Sequence, residues 1–445
     1  MLMKKLVYAA LSVFVSLALA SAAFSMGSQP PPPDTTWDNY EVGDEMTPAQ
    51  EEAFFKTYVS IGDSLTHGCQ GLNVEEGRQQ FSYPNLLANA MGTEFNQPLV
   101  FYPGVGIPNP EDWVKDQHFS PLTTMVGHMR TDYYLNQGVM NNFAITGATL
   151  PQILDYDLFN VFNSDTSILA DLIGAGSPFA FSVLRGNTVF TKSAVTQALE
   201  REPTFLTVWI GNNDVMFSTI MGDTGFSTAT PYWEEKWNEL VQRIKDTPSI
   251  RGVLVINLPD NTKTPFLQDP GNPFHTVAHG LAFPQGSKVP FFSTYTGPGD
   301  PVLTPDEIAV IQSQTRAINS IIQATCEAEN WPMIDAWSKI REGMETGWEL
   351  RKADGSSSGV VLTGEFATGG MFSLDGIHPT SAAYAYMADI GVDVINAHYG
   401  THLPYVDAYS VWQQDTLCQA PVDPRYEEEM CTLINDMFRL LAPIF

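Results

Sequence analysis

Short runs of apolar residues alternate along the chain with longer stretches in which apolar residues recur at every third or fourth position. The runs predict buried strands at 58–61, 143–145, 205–210, 253–256 and 332–334. The longer stretches predict amphipathic helices at 231–245, from 305 onward and at 380–397. Strands that alternate with helices are typical of an α/β fold, in which helices flank a mostly parallel sheet.

The helix signals are sharpest where residue spacing and end signals agree. Thr304 and Glu307 form a capping box, with Pro305 at the first helical position. Stripes at helical spacing are more typical of core-facing surfaces than of binding surfaces. The stripes that should face the core are Trp233, Trp237, Leu240 and Ile244; Ile308, Ile311, Ile318 and Ile322; and Ala383, Met387, Ile390 and Val394.

Three segments fit this alternation poorly, at 155–190, 260–303 and 340–370. They are rich in Gly, Pro, Ser, Asp and Phe, and we interpret them as large loop insertions over a site at the sheet edge. We hypothesise that some of their aromatic residues form an apolar acyl-binding wall, because ligand pockets are largely apolar. The candidates are Phe159, Phe162, Phe179, Phe181, Phe283, Phe291 and Phe292.

The N-terminal residues have the pattern of a secretory signal peptide, in which two lysines precede an apolar run that ends in small residues. The run at 6–19 is shorter than the roughly 20 residues that a membrane-spanning helix needs. A cleaved signal is therefore favoured over a membrane anchor, and we expect the protein to be exported to a periplasm, the cell surface or the medium. The predicted parts are a signal at 1–22, a Pro-rich linker at 23–46, a folded domain at 47–400 and a C-terminal extension at 401–445.

The chain is strongly acidic, with a net charge of −28 from 22 basic and 50 acidic side chains. Nucleic-acid binding is excluded as a function class, because phosphate recognition needs clustered Lys and Arg. No later stretch is apolar enough to cross a bilayer, so no stable membrane span is expected after signal removal. Cys418 and Cys431 are close enough in sequence for a local disulfide, although the four cysteines allow three pairings.

Three polar motifs lie where predicted strands end or the last helix begins. Gly-Asp-Ser-Leu at 62–65 follows the first strand, Gly-Asn-Asn-Asp at 211–214 follows the strongest one, and Asp-Gly-Ile-His at 375–378 precedes the last helix. Open α/β sheets bind ligands at the carboxyl ends of their strands, so the fold could bring these motifs together. A serine becomes a nucleophile when a histidine takes its proton and a carboxylate orients that histidine. The candidates for these roles are Ser64, His378 and Asp375.

These motifs, in this order, resemble the SGNH, or GDSL, hydrolase family. Its hallmarks are a Gly-Asp-Ser-Leu block, a glycine block, a Gly-x-Asn-Asp block and an Asp-x-x-His block. Residues 142–148, Asn-Phe-Ala-Ile-Thr-Gly-Ala, resemble the glycine block. The resemblance implies a flavodoxin-like SGNH-hydrolase fold with a mostly parallel five-stranded sheet. Family domains are often much smaller, so the large loop insertions have no motif to explain them.

The resemblance also implies roles at the matching positions. Ser64 would be the nucleophile, His378 the general base and then acid, and Asp375 the residue that orients His378. The backbone N–H groups of Ser64 and Gly147, with the side-chain amide of Asn213, would form the oxyanion hole. Fixed neutral donors stabilise the negative oxygen of a tetrahedral intermediate without reorganising. No metal or organic cofactor is expected.

We predict a secreted serine esterase that hydrolyses carboxylic esters, of lipid-like or simple acyl type, through an acyl-enzyme. A carbohydrate O-acetylesterase with the same triad is an alternative, as is transfer of the acyl group to an alcohol. A non-catalytic surface-binding module on a hydrolase fold is another. A non-catalytic module is expected to have lost a triad or oxyanion residue, whereas this sequence retains all of these residues.

Other motifs have structural explanations. The Gly-Ser-Ser-Ser-Gly segment at 355–359 matches the G-x-S-x-G pattern, but no strand precedes it, and it predicts a turn. His275 and His279 have metal-ligand spacing, but they lie in a segment full of Gly and Pro. His67 and Cys69 follow the nucleophile block and could line a pocket mouth, although surface or packed roles are favoured.

Overall fold

The structure, a computed structural model, describes residues 40–100, 104–106, 140–155, 192–270, 283–290, 302–366 and 368–415. In chain order, the strands within these ranges are β1 (Tyr58–Gly62), β2 (Asn73–Val74), β3 (Val105–Gly106), β4 (Phe205–Trp209), β5 (Gly252–Ile256), β6 (Leu267–Gln268), β7 (Val289–Pro290), β8 (Met333–Ile334), β9 (Trp348–Arg351) and β10 (Ser357–Leu362). The helices are α1 (Pro48–Phe54), α2 (Ser64–His67), α3 (Glu76–Gln79), α4 (Tyr83–Met91), α5 (Leu150–Asp155), α6 (Ala194–Leu199), α7 (Asn212–Met221), α8 (Thr230–Lys245), α9 (Pro305–Glu329), α10 (Ala336–Thr346), α11 (Ser381–Tyr399) and α12 (Ala408–Gln414).

The central sheet is parallel, with the strand order β1–β4–β5–β8. Residues 141–145 extend it beyond β1 through a parallel bridge to Ser60. Phe143 N–H donates to the Ser60 carbonyl at 2.9 Å, and Ile145 N–H donates to the Gly62 carbonyl at 3.1 Å. With this segment counted, the order is 2-1-3-4-5, which is flavodoxin-like. The predicted fold is confirmed, although the second of the five predicted strands is a bridged edge segment.

Both faces of this sheet are buried, because successive side chains of a strand point in opposite directions. In β4, Phe205 and Trp209 pack into one hydrophobic cluster, whereas Leu206 and Val208 pack into the other. The first cluster includes residues of α4, α11, α12 and the β9–β10 hairpin, and the second includes residues of α5, α6, α8 and α9. Near-continuous apolar strands suit a parallel sheet between two helical layers.

The three helices expected from the sequence are present. In α8 all four stripe residues are buried, and α9 begins with the predicted capping box, although Ile308 in its stripe is only half-buried. In α11, Ile390 and Val394 are half-buried, while Tyr384 and Ile395 outside the stripe are buried. The buried surface of α11 is wider than a stripe because α4, β9 and α12 all pack against this helix.

Segment 340–370, which we expected to be an insertion over the site, contains the end of α10 and the β9–β10 hairpin. The hairpin is antiparallel. It packs on α11 and α12 and, together with these helices, covers one face of the central sheet. Gly355, with a φ of +78°, lies in the hairpin turn, as expected for the Gly-Ser-Ser-Ser-Gly segment. The expectation that no strand precedes this segment was wrong, because β9 ends at Arg351. Residues 156–191 and much of 260–303 lie outside the described residues, as do six of the seven candidate wall phenylalanines, Phe283 being the exception.

The folded domain continues past residue 400, where the sequence predicted an appended tail. Helix α12 packs on α11, and the Ala382 N–H donates to the Asp415 carboxylate at 3.1 Å. At the other end of the domain, the Tyr40 hydroxyl donates to the Tyr399 carbonyl at 2.8 Å. The packed domain therefore includes residues on both sides of the predicted 47–400 range.

Cys69 and Cys326 are buried and are free thiols. Cys418 and Cys431, for which we predicted a disulfide, lie outside the described residues, as do residues 1–39 with the predicted signal peptide. Among the helices that the structure describes, none has the length and apolar character needed to cross a membrane.

Candidate active site

Ser64 is the first residue of α2 and lies directly beyond the carboxyl end of β1. The Asp63 carboxylate caps this helix by accepting a hydrogen bond from the Leu65 N–H at 3.1 Å. Gly62 is required at the junction, because a Cβ there would lie 2.7 Å from the Trp209 carbonyl oxygen. The turn therefore presents Ser64 at the sheet edge where α/β folds bind their ligands.

Asp375 and His378 form a direct hydrogen-bonded pair, and both are buried. His378 Nδ1 lies 2.6 Å from Asp375 Oδ2; since an ionised carboxylate only accepts, Nδ1 carries the proton. Asp375 Oδ1 accepts from the backbone N–H groups of Ile377 and His378, each at 2.8 Å. The short turn between the two residues thereby fixes the carboxylate relative to the ring.

The electrostatics of this pair favour its charged forms. Burial raises the pKa of the Asp375 carboxyl, but His378 and the hydrogen bonds to the carboxylate outweigh burial, so the pKa lies below its ordinary value. Burial lowers the pKa of His378, but Cys69 and Asp375 outweigh it and raise the pKa well above 6.5. The imidazole therefore retains its proton to a higher pH than a free histidine does.

A segment that we call the strap, residues 68–74, connects helix α2, which begins with Ser64, to this pair. At its start, the Cys69 N–H donates to the Ser64 carbonyl at 3.0 Å. Further along, the Leu72 N–H donates to Asp375 Oδ2 at 2.6 Å. Leu72 has a φ of +54°, a left-handed conformation that residues other than glycine rarely adopt. The strap brings Ser64 and the histidine turn to the same edge of the sheet.

Gly147 and Asn213 lie next to each other at this edge. Gly147 has a φ of +83°, which favours glycine. Asn213, in the first turn of α7 after β4, donates its amide to the Ala148 carbonyl at 2.9 Å. The amide nitrogen has a second hydrogen. Within the described ranges, the N–H groups of Ser64 and Gly147 donate to no backbone carbonyl. These donors are available to an oxyanion.

Two buried carboxyl groups hold the motifs in place. Asn212 Nδ2 donates to Asp63 Oδ2 at 2.8 Å and links α7 to the nucleophile turn. The Leu150 N–H donates to Asp214 Oδ2 at 2.9 Å and links α5 to α7. Burial raises the pKa of Asp63 to about 6 and that of Asp214 to about 7. Both carboxyl groups support the site from beneath the surface.

His67 and Cys69 are both buried, in line with the packed roles considered from the sequence. His67 Nδ1 lies 3.0 Å from the Thr146 hydroxyl, and burial lowers the pKa of His67 to about 4, so the ring is neutral at pH 7. The ring connects α2 to the turn that carries Gly147. Cys69 packs against Val74.

Nothing in the sequence indicated the part that Leu72 has in this site. It contributes a backbone N–H, which no residue type identifies, and no motif surrounds it. Thr146 and Asn212 lie inside recognised blocks, so their positions were indicated but their hydrogen bonds were not. His275 and His279 lie outside the described residues.

A model of the GDSL-like lipase/acylhydrolase family matches residues 58–390. This range covers most of the chain and contains every residue of the site described above. The chain belongs to this family. It is an ester-hydrolysing serine hydrolase, and its parallel sheet flanked by helices is the architecture that was expected from the family's motifs.

A comparison with solved structures found distant matches, two of which are an esterase and a hydrolase. An acetylxylan esterase from Geobacillus stearothermophilus is 14% identical, with 76% of this chain and 94% of that one covered and a TM-score of 0.34. An alpha/beta hydrolase from the metagenome of Lake Arreo is 12% identical, with 78% and 98% covered and a TM-score of 0.33. A search of the curated proteins found no match. The family assignment rests on the family model, not on these distant neighbours.

Proposed function

We propose that Ser64, His378 and Asp375 form the catalytic triad of this GDSL-family esterase. The observation that supports this most strongly is the 2.6 Å hydrogen bond from His378 Nδ1 to Asp375. It leaves Nε2 as the ring nitrogen that can accept a proton, which is the role of the base in a serine hydrolase. The strap supports the proposal further, because it links the nucleophile helix directly to Asp375.

The reaction then proceeds through an acyl-enzyme. The Ser64 oxygen attacks the ester carbonyl carbon while His378 Nε2 takes the hydroxyl proton. The tetrahedral intermediate collapses, its bond to the alcohol oxygen breaks, and the alcohol leaves with the proton from His378. Water then attacks the acyl carbon with the same base, and the carboxylic acid leaves as Ser64 regains its proton.

We assign the oxyanion hole to the N–H groups of Ser64 and Gly147 and to the amide of Asn213. The tetrahedral intermediate places a negative charge on the former carbonyl oxygen, and rigid neutral donors stabilise it best. The bond from Asn213 to the Ala148 carbonyl supports this assignment, because it fixes the amide beside the Gly147 turn.

We propose that the substrates are lipid-like or simple acyl esters. The support comes from the sequence, in which the segments around 155–190 and 260–303 are rich in phenylalanine. Apolar side chains near a serine nucleophile would accommodate an acyl chain, since ligand sites are largely apolar.

The test is hydrolysis of p-nitrophenyl esters from acetate to palmitate by the wild type and by Ser64→Ala. We expect Ser64→Ala to lower turnover by several orders of magnitude. Ser356→Ala is the matched control, because Ser356 lies in the exposed turn of the β9–β10 hairpin and should leave the rate unchanged. Near-normal turnover in folded Ser64→Ala would reject the triad.

The chain-length profile tests the substrate class separately. A maximum at medium or long chains supports lipid-like esters, whereas activity confined to acetate favours the carbohydrate O-acetylesterase. A wild type that hydrolyses no ester, and whose Ser64 is not labelled by a fluorophosphonate probe, would favour a non-catalytic binding role. Addition of a competing alcohol distinguishes acyl transfer from hydrolysis through the appearance of a new ester.

We also propose that the protein is exported and that residues 1–22 are removed on the way. The support is the charged, apolar and small-residue pattern of this segment. N-terminal sequencing of the protein recovered outside the cytoplasm should show a start near residue 23. Recovery of the full-length chain from the membrane fraction would point to an uncleaved anchor.

A further inference from the structure

Ser373 lies two residues before Asp375 and contacts every part of the acid–base turn. It is buried, with 1% of its surface exposed. Its backbone N–H donates to the His378 carbonyl at 2.7 Å, and its hydroxyl donates to Asp375 Oδ1 at 3.2 Å. The same hydroxyl accepts a hydrogen bond from the Gly71 N–H at 2.8 Å. One side chain therefore joins the strap to the carboxylate.

The hydrogen-bond directions of this hydroxyl are fixed. A serine hydroxyl has one proton and two lone pairs. The carboxylate of Asp375 can only accept, so the hydroxyl proton points to it, and a lone pair remains for Gly71. The strap thus approaches Asp375 twice: directly through the Leu72 N–H to Oδ2, and through Ser373 to Oδ1. Each carboxylate oxygen receives one of these contacts.

From this arrangement we infer that Ser373 is a positioning residue, which holds the Asp375 carboxylate at the angle that orients His378 toward Ser64. This inference rests on the proposed triad and extends it to a residue that no motif marks. Ser373 touches no reacting atom and acts through Asp375. Its loss would remove one hydrogen bond from Oδ1 and the link from Gly71 to the carboxylate, and small misplacements of catalytic groups are costly to the rate.

The first test compares Ser373→Ala with Ser193→Ala in the full chain. Ser193 is a similarly buried serine that caps α6, and its loss costs stability without contact to the site. We expect Ser373→Ala to lower kcat about ten- to hundredfold and to change KM less than about twofold. Ser193→Ala should leave both unchanged. Ser373→Cys keeps a weaker donor in nearly the same volume and should recover part of kcat.

The second test places Ser373→Ala in an Asp375→Ala background. If Ser373 acts through Asp375, its substitution should change the residual kcat less than about twofold there, because coupled residues are not additive. A full effect of Ser373→Ala in that background would overturn the inference, as would wild-type kcat in the single variant.

A third readout does not depend on ester hydrolysis. The His378 Nδ1 proton, held in a short bond to a carboxylate, should give a far-downfield proton resonance, and Ser373→Ala should shift or broaden it. If the wild type cleaves no ester but this resonance responds, the proposed function fails and the positioning role stands. A second outcome is an active wild type whose resonance, kcat and fluorophosphonate labelling rate are all unchanged in Ser373→Ala. The positioning role then fails, while the proposed function stands.

Discussion

At the residue scale, the protonation of His378 sets the pH range of the proposed reaction. Only the neutral ring can take the proton of Ser64, so activity rises as pH increases through the pKa of His378. The carboxylate of Asp375 helps to hold that pKa well above 6.5. We expect the acid limb of kcat/KM against pH to have its midpoint above 6.5.

The control for this pH profile is His398→Gln, at a half-buried histidine whose Nε2 bonds to the Asn330 carbonyl. It should leave the limb in place. A wild-type midpoint below 6.5 would contradict the expected direction. Asp375→Asn should move the limb to lower pH while it reduces kcat, because the neutral amide no longer stabilises the imidazolium.

Asn213 allows a test of the oxyanion hole that leaves the triad intact. Asn213→Ala removes one of the proposed donors and should lower kcat about 10²- to 10³-fold with a smaller effect on KM. The matched control is Asn396→Ala. Asn396 also bridges backbone groups, with contacts to Leu403 N–H at 2.8 Å and to its carbonyl at 3.0 Å. A loss of kcat that is equal in both variants would point to general destabilisation.

At the element scale, among the strands that the structure describes, the short β8 leaves part of β5 without a partner strand, and α11 fills the gap. The Tyr399 hydroxyl accepts from the Val253 N–H at 3.0 Å and donates to the Val253 carbonyl at 2.9 Å. It takes the place that a neighbouring strand would have. A helix side chain thereby completes the hydrogen bonding of a buried strand.

Tyr399→Phe should therefore lower the free energy of unfolding by about 1–3 kcal/mol, because two buried backbone groups lose their partner. Urea denaturation measures this change through its midpoint. Tyr386→Phe is the control on the same helix; that ring stacks on Trp348, and the change should have a smaller effect. Equal midpoints for the two variants would contradict the role of the Tyr399 hydroxyl.

The elements that the sequence predicted best are those with local signals. The capping box of α9 and the stripe of α8 depend on residues within one helix, and both were recognised. Strand β9 of the hairpin was missed because it buries only alternate residues, and because Gly355 and its serine neighbours suggested a loop. In the site, Ser64, Asp375 and His378 stand in motifs. Leu72 contacts the distant Asp375, and Ser373 joins the distant Gly71 to the nearby Asp375; no local pattern encodes these hydrogen bonds.

At the scale of the whole molecule, buried carboxyl groups should make stability depend on pH. Burial raises the pKa of Asp214 to about 7, whereas an unfolded aspartate titrates near 4. Between these values the folded chain holds a proton that the unfolded chain has lost. Stability therefore falls as pH rises from about 4 to about 7.

Asp214→Asn should remove this contribution. The free energy of unfolding of the variant, minus that of the wild type, should therefore increase between pH 4 and pH 8. The increase should be up to about 4 kcal/mol, since one pKa unit corresponds to about 1.4 kcal/mol. The measurement is urea denaturation at both pH values. Asp354→Asn, at a carboxyl group that is exposed, is the control and should not show this gain. A pH-independent difference between Asp214→Asn and the wild type would refute the assignment.

The hydrogen bond from Leu72 to Asp375 joins residues that are 303 positions apart, and this has a consequence for biosynthesis. The ribosome completes the nucleophile helix long before it reaches the histidine turn. With the proposed triad, a nascent chain carries its serine without a base, as does a fragment that ends before residue 375. On the same proposal, the ability to cleave esters arises late, only when the C-terminal segments reach the strap.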